Sequence, residues 1–474
     1  MNTEHGNVTR PLPKGRREWL LLLLLILHPV VVAKGELEDT CDVFSTSIYC
    51  KCEFRRSDEG RSLNCYVGGP LTPRDGIWEE IAFRNATYLG LVCKLGSELD
   101  FVPVAALGAL PDLRALRFRQ ARLGSLSSGT FSNNRLVDID LSSNEIEGLE
   151  PAAFVNMEKL ERLSLTDNLI TKIEKGSFVR LPKLRDLFLD ENQIVTIQSG
   201  SFEGLSGLVD LILSGNNLTR LEEGTFKGLT HLDFLDLFRN QITELPENAF
   251  LPLSNLSRLD LSRNRISSIH PSSFRGLTRL TVLLLNYNKL QTLPDRLFMS
   301  VPQLRQIGLD FNLLHGLSPY LLSYLDRRLE RDFIFRFKEN PLRCDCGLWW
   351  TATHYLNSSQ SLLWKKQLRH VKCTFSDSTA GGGDTQRVMK LAPEEVGCGN
   401  DTADYLEPPD FAEAETVLRD QNRERSTNRE VRGPNRIETN DEQDTRSRAS
   451  SSTRIEQLLA ASASVLVLLN RNLF

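Results

Sequence analysis

Asparagine recurs every 24 residues through the middle of the chain, at Asn144, Asn168, Asn192, Asn216, Asn240, Asn264, Asn288 and Asn312. Each closes the pattern Leu-x-x-Leu-x-Leu-x-x-Asn, with Ile in one leucine slot of the first and last copies. A unit this short leaves an apolar face open and can bury it only on its neighbours, so the period dictates a stack. The segment Leu160-Glu-Arg-Leu163-Ser-Leu165-Thr-Asp-Asn168 shows the unit. Ahead of the run, Leu113-x-x-Leu116-x-Phe118 carries Ala121 in the asparagine slot. After it, Phe335-x-Phe337-x-x-Asn340 arrives at a spacing of 28.

Each slot has a physical reason. Leucines two apart, such as Leu187 and Leu189, point the same way from a short strand and enter one core. The asparagine turns the chain out of the strand, and its amide can satisfy main-chain groups there. Phe131, Phe154, Phe178, Phe202, Phe226, Phe250, Phe274 and Phe298 recur at one further slot, where stacked rings would form a spine opposite the strands.

The ends read differently. Arg10, Lys14, Arg16 and Arg17 lead into the apolar run 19–27, and Val30 to Ala33 are small enough for signal peptidase. Residues 1–33 are therefore expected to be a secretory signal peptide. The nine cysteines include Cys41, Cys50, Cys52 and Cys65 before the repeats and Cys344, Cys346, Cys373 and Cys398 after them. In an exported chain two groups of four read as two disulfides each. Cys93 stands alone, either as a buried apolar thiol or as the bridge of a disulfide dimer.

The repeat resembles the 24-residue extracellular class of leucine-rich repeat. Asn340-Pro-Leu-Arg-Cys344-Asp-Cys346 with Trp349 is similar to the cysteine-rich carboxy-terminal cap of that class. The likeness extends to variable lymphocyte receptors and to Slit and Toll-like ectodomains, and covers about residues 41–400. It implies an α/β-type solenoid: a curved horseshoe with a parallel concave β-sheet, few helices and disulfide-capped ends. It also implies the bridges Cys41–Cys52, Cys50–Cys65, Cys344–Cys373 and Cys346–Cys398. The expected organisation is an amino-terminal cap over 34–90, repeats over 91–339 and a carboxy-terminal cap over 340–400. Residues 401–457 are too polar and charged to bury a core and read as a disordered stalk. The apolar tail 458–474 is shorter than a bilayer span. It loosely suits a removable lipid-anchor signal, so secretion, into the extracellular space or matrix, and surface anchoring both stay open.

Residues flanking the strand leucines should line the concave face. Asp and Ser are usual there in the family, as at Asp260 and Ser262. The departures are Phe188, Ile212, Phe234 and Phe238, and further on Leu284, Tyr287 and Phe311. Exposed apolar clusters of this kind mark interaction sites, with aromatics as anchors. Asp186, Asp190, Glu191 and Asp210 flank the first group on one side and Arg239, Arg258 and Arg263 on the other, a charge separation that would orient a partner. The sequons at Asn85, Asn217, Asn255, Asn357 and Asn400 are candidate glycan sites.

No catalytic chemistry is signalled. His231, His270, His315, His354 and His370 are scattered, with no metal-ligand spacing. Nucleophile elbow and phosphate loop are both lacking, so no cofactor is expected. A net charge of −4 with mixed signs gives no footprint for nucleic acid. The expected function is extracellular recognition or adhesion, with a protein or glycoconjugate as partner. A structural matrix component is the alternative and an enzyme the remote one.

Overall fold

The computed structural model describes residues 42–396 and 398, apart from 56–59, 95–98, 133–134, 319–320, 322–332, 350–352, 354–370 and 376–384. The expected signal peptide, Cys41, the sequons at Asn357 and Asn400, the stalk and the tail lie outside the described residues.

One sheet of fourteen strands runs in chain order. Its first five strands are β1 (Val43–Phe44), β2 (Ile48–Arg55), β3 (Gly60–Val67), β4 (Tyr88–Cys93) and β5 (Ala115–Arg119). Then follow β6 (Asp138–Asp140), β7 (Arg162–Ser164), β8 (Asp186–Phe188), β9 (Asp210–Ile212) and β10 (Phe234–Asp236). The last are β11 (Arg258–Asp260), β12 (Val282–Leu284), β13 (Gln306–Gly308) and β14 (Ile334–Arg336). The first three strands form an antiparallel meander, and every later neighbour is parallel. Leu163, Leu187, Leu211, Leu235, Leu259 and Leu283 are successive Cα partners, so the 24-residue period is the sheet register. In the central strands β8 to β12 the middle residue is fully buried and the outer two are half-buried, which gives the sheet one core face and one open face.

Opposite the sheet the phenylalanines stack in two runs, Phe131 to Phe202 and Phe226 to Phe274, rather than as one unbroken spine. Phe131 and Phe154 lie 5.1 Å apart between ring centroids and Phe250 and Phe274 6.1 Å apart, all four 0% exposed. Burying each such ring contributes roughly 1.5–3 kcal/mol. The asparagines do more than turn the chain. Asn192 donates from Nδ2 to the Leu189 carbonyl at 3.2 Å and to the Leu165 carbonyl of the preceding repeat at 2.9 Å. Its Oδ1 accepts the N–H of Ile170, also in the preceding repeat, at 3.1 Å. The same cross-repeat acceptance runs from Asn144 to Asn340, so one side chain closes main-chain groups of two units.

Among the described residues two helices precede the regular repeats, α1 (Ile77–Phe83) and α2 (Val104–Gly108), and short helical turns follow them at 346–349 and Val388–Lys390. Trp78 and Ile81 of α1 enter the core, and the Trp78 indole N–H is satisfied by the Thr72 carbonyl at 2.8 Å. Both ends are cross-linked by Cys50–Cys65, Cys344–Cys373 and Cys346–Cys398, the pairs that the resemblance implies. Cys52 is also disulfide-bonded. Cys93 lies in β4 and is 0% exposed, which fits the packing role. A bridge to a second chain would require β4 to leave the sheet.

Candidate binding face

The open face of the sheet is built by four slots per repeat. In β8 and the turn after it these are Asp186, Phe188, Asp190 and Glu191, around the inward Leu187 and Leu189. The last slot, just before the asparagine, has left-handed backbone in every repeat: φ is 56° at Asp167, 50° at Glu191, 55° at Tyr287 and 57° at Phe311. That conformation aims its N–H at the next repeat. Glu191 N–H donates to the Ser214 carbonyl at 2.9 Å and Tyr287 N–H to the Asp310 carbonyl at 2.9 Å. The main-chain ladder thus continues past the strand ends, and the side chain is thrown outward onto the face.

The departures expected from sequence occupy these slots. Phe188 and Ile212 are direct strand partners, and Phe234 pairs with Asp210 on one side and Arg258 on the other. Phe188, Ile212, Phe234, Phe238 and Leu284 are half-buried. Tyr287 and Phe311 are 43% and 44% exposed and stack at 4.3 Å with ring planes 6° apart. The two apolar groups are not separate. Arg263 stands between them, its guanidinium 5.9 Å from the Phe238 ring and 4.8 Å from the Tyr287 ring. Phe238, Arg263, Tyr287 and Phe311 therefore form one band across four repeats. Arg258 covers Phe234 in the same way at 5.1 Å.

The charge separation along the face is partly cancelled. Arg239 reaches back across a whole repeat to Glu191 at 3.1 Å. It can do so because Gly215 lies between them, and a Cβ there would stand 2.6 Å from the Glu191 carboxylate. Arg162 meets Asp186 at 3.4 Å, and Arg117 and Arg119 meet Asp140 at 2.9 and 3.0 Å. Despite its burial, Asp140 is held below the usual carboxylate range by bonds from Ser142 and Arg119. The central acids differ. Burial pushes Asp210 up to about 6, helped by the charges of Asp186 and Asp233. Burial likewise pushes Asp236 up to about 6, against the N–H of Phe238 and with the charges of Asp260 and Asp190 adding to the shift. Asp190 is raised by burial although the Thr166 hydroxyl donates to it at 2.7 Å.

An aromatic row on β1 to β3 escaped the sequence reading. Phe44, Tyr49 and Tyr66 are 68%, 37% and 57% exposed, with centroids 5.0 and 6.4 Å apart along the pairing of the three strands. The signal was there in the alternation of Tyr49 with Ile48 and Cys50, and of Tyr66 with Cys65 and Val67. Of the expected glycan sites, Asn85 donates to Asp112 at 3.1 Å and Asn255 to the Thr230 carbonyl at 2.7 Å. The Asn217 Oδ1 accepts from Gln241 at 2.9 Å.

The family described as Leucine rich repeat matches residues 111–170, 134–194, 158–218, 184–242, 206–266 and 254–314. No curated protein matches the chain. Among solved structures it is similar to a chain of the TLR13–ssRNA13 complex, at 23% identity and a TM-score of 0.46 over 68% of this chain. That alignment spans only 58% of the TLR13 complex chain. It is also similar to a chain of the octameric complex of latrophilin 3, Unc5D and FLRT2, at 24% identity and a TM-score of 0.47 over 68% of this chain and 86% of that one. A Leptospira interrogans LRR protein matches at 23% identity and a TM-score of 0.46, over 65% and 76% of the two chains. Among the described residues no helix is long and apolar enough to cross a membrane.

Proposed function

We propose that this chain, a member of the leucine-rich-repeat family, is an extracellular recognition or adhesion protein that binds a macromolecular partner on the open face of its sheet. The observation that carries this is the band Phe238, Arg263, Tyr287 and Phe311. Tyr287 and Phe311, held outward by left-handed backbone, and Phe238, joined to them by the Arg263 guanidinium, make preorganised anchors of the kind that dominate interface energetics. Nothing in the stacking of repeats asks for Arg263, Tyr287 or Phe311, since Ser143 and Gly215 serve the same slot elsewhere. The disulfide-closed ends suit an oxidising compartment outside the cytosol.

The test is a binding screen of the full-length secreted chain against cell surfaces and matrix, run beside Tyr287→Ala/Phe311→Ala and Phe188→Asp/Phe238→Asp. A partner captured by the wild type should be lost from both variants while their secretion and melting temperature stay near wild type. Undiminished capture by both would move the interface to a cap or to the opposite face.

A further inference from the structure

We infer that the carboxy-terminal cap carries a second binding surface, a cationic face that takes a sulfated polysaccharide. It uses none of the residues of the aromatic band.

The face begins in the stack. The third residue after each ladder asparagine lies on a flank where main-chain bonds join one repeat to the next. Ser267 N–H donates to the Thr243 carbonyl at 2.9 Å and His315 N–H to the Gln291 carbonyl at 3.3 Å. From Thr171 through Val195, Thr219, Thr243 and Ser267 to Gln291 that slot holds no charge. After Asn340 it holds Arg343, whose N–H donates to the His315 carbonyl at 2.7 Å.

The cap extends the row. Arg343 is bridged in parallel to Thr374 of β15 (Lys372–Thr374), which pairs antiparallel with β16 (Thr385–Arg387). Register decides which side chains meet on the outer side. Thr374 faces Thr385 in the row of Arg343, and Lys372 faces Arg387 two residues along. All five are exposed, whereas Cys373 between Lys372 and Thr374 is 1% exposed. The Cys344–Cys373 disulfide ties the hairpin to the end of the stack.

Three cations and two hydroxyls thus share one side of three neighbouring segments, about 4.8 Å apart across the strands and about 7 Å along them. Among the described residues none of the three cations forms an ion pair. Two acids of the cap are taken up elsewhere. Asp345 accepts the Leu348 N–H at 2.8 Å, and Glu395 accepts from the Gln386 amide at 2.9 Å and the Ala392 N–H at 3.1 Å. Like charges directly opposite each other, as Lys372 and Arg387 are, weaken a strand pair. An oxyanion between them removes that cost and gains charge-assisted hydrogen bonds. The outer set holds no apolar side chain to anchor a protein and no ring on which a base could stack. It suits a chain whose charge is spread along it and whose remaining surface is hydroxyl, which is the chemistry of a sulfated polysaccharide.

The test titrates the full-length chain with a heparin fragment and with the same fragment after chemical desulfation. The sulfated fragment should bind about tenfold or more tightly, and should weaken by about tenfold on a fourfold rise in salt, as release of condensed counter-ions requires. Arg343→Gln/Lys372→Gln/Arg387→Gln should lower its affinity by about tenfold or more, with a melting temperature at or above wild type. The exchange Lys372→Arg/Arg387→Lys keeps the charge and should keep the affinity. Arg74→Gln/Lys159→Gln/Lys183→Gln removes the same charge elsewhere and should change affinity by less than about twofold. Tyr287→Ala/Phe311→Ala should bind the fragment as the wild type does, and loss of binding there would move the polysaccharide to the open face and overturn the inference. Equal or absent binding of the two fragments, retained affinity in the Arg343 triple variant, or an equal loss in the Arg74 triple variant also overturns it. A polyglutamate chain of matched charge that binds as tightly as the sulfated fragment would assign the face to acidic proteins instead.

Discussion

At the residue scale the sharpest demand falls on the position before each asparagine. Its left-handed φ lets the main-chain ladder run on to the next repeat, at a strain of about 1 kcal/mol or more for a non-glycine residue. Asp167, exposed and at φ 56°, isolates the effect. Asp167→Gly should leave stability unchanged or raise it slightly, and Asp167→Val should lower it by about 1–2 kcal/mol, read by chemical denaturation. This slot was not legible in the sequence, because only Gly215 among its occupants advertises the conformation. The acids belong to this scale too. Asp210 and Asp236 bind their protons more tightly in the folded chain, at about 6, than in the unfolded one, at 3.8. The stability they confer is therefore full below about pH 4 and is lost as pH rises through about 6. Asp210→Asn/Asp236→Asn should raise the melting temperature at pH 7, by about 1 kcal/mol per residue in stability, with the gain shrinking towards zero near pH 4.

At the scale of the element, the asparagine ladder and the phenylalanine spine are what make a strand–turn unit cohere. Asn192→Ala leaves the N–H of Ile170 without its acceptor and takes one of two asparagine donors from the carbonyls of Leu165 and Leu189, which keep Asn168 and Asn216, and should cost about 2 kcal/mol. Asn192→Asp should cost more, because it keeps the acceptor but turns a buried charge towards two carbonyl oxygens. Urea unfolding of the two variants decides between this account and a mere turn preference, which would rank Asp above Ala. Both devices could be read from the sequence, since the period repeats them in fixed register. The cap was harder. There β3 pairs with β4 and β4 with β5 in one continuous sheet. Pairing across irregular spacing has no periodic signal, so alternation within each strand could mark Tyr49 and Tyr66 as outward but not place them in one row with Phe44.

At the scale of the whole molecule, a stack of repeats has no single centre, so stability is shared among neighbour contacts and function falls on whichever face the stack leaves open. The fold and the side-chain candidates were legible, because leucine and asparagine slots define inside and outside at every turn. How the candidates meet was not: Arg263 joins Phe238 to Tyr287 across two repeats, and Arg239 reaches Glu191 over Gly215. The claim that everything else serves is that this open face is where a partner sits. It is tested most directly by placing a glycan on it. Arg263→Asn with Arg265→Thr creates a sequon within the aromatic band, and Lys175→Asn creates one in the turn ahead of Phe178. Capture of the partner should be abolished by an occupied glycan at 263 and unchanged by one at 175. Capture that survives the glycan at 263 would contradict the account.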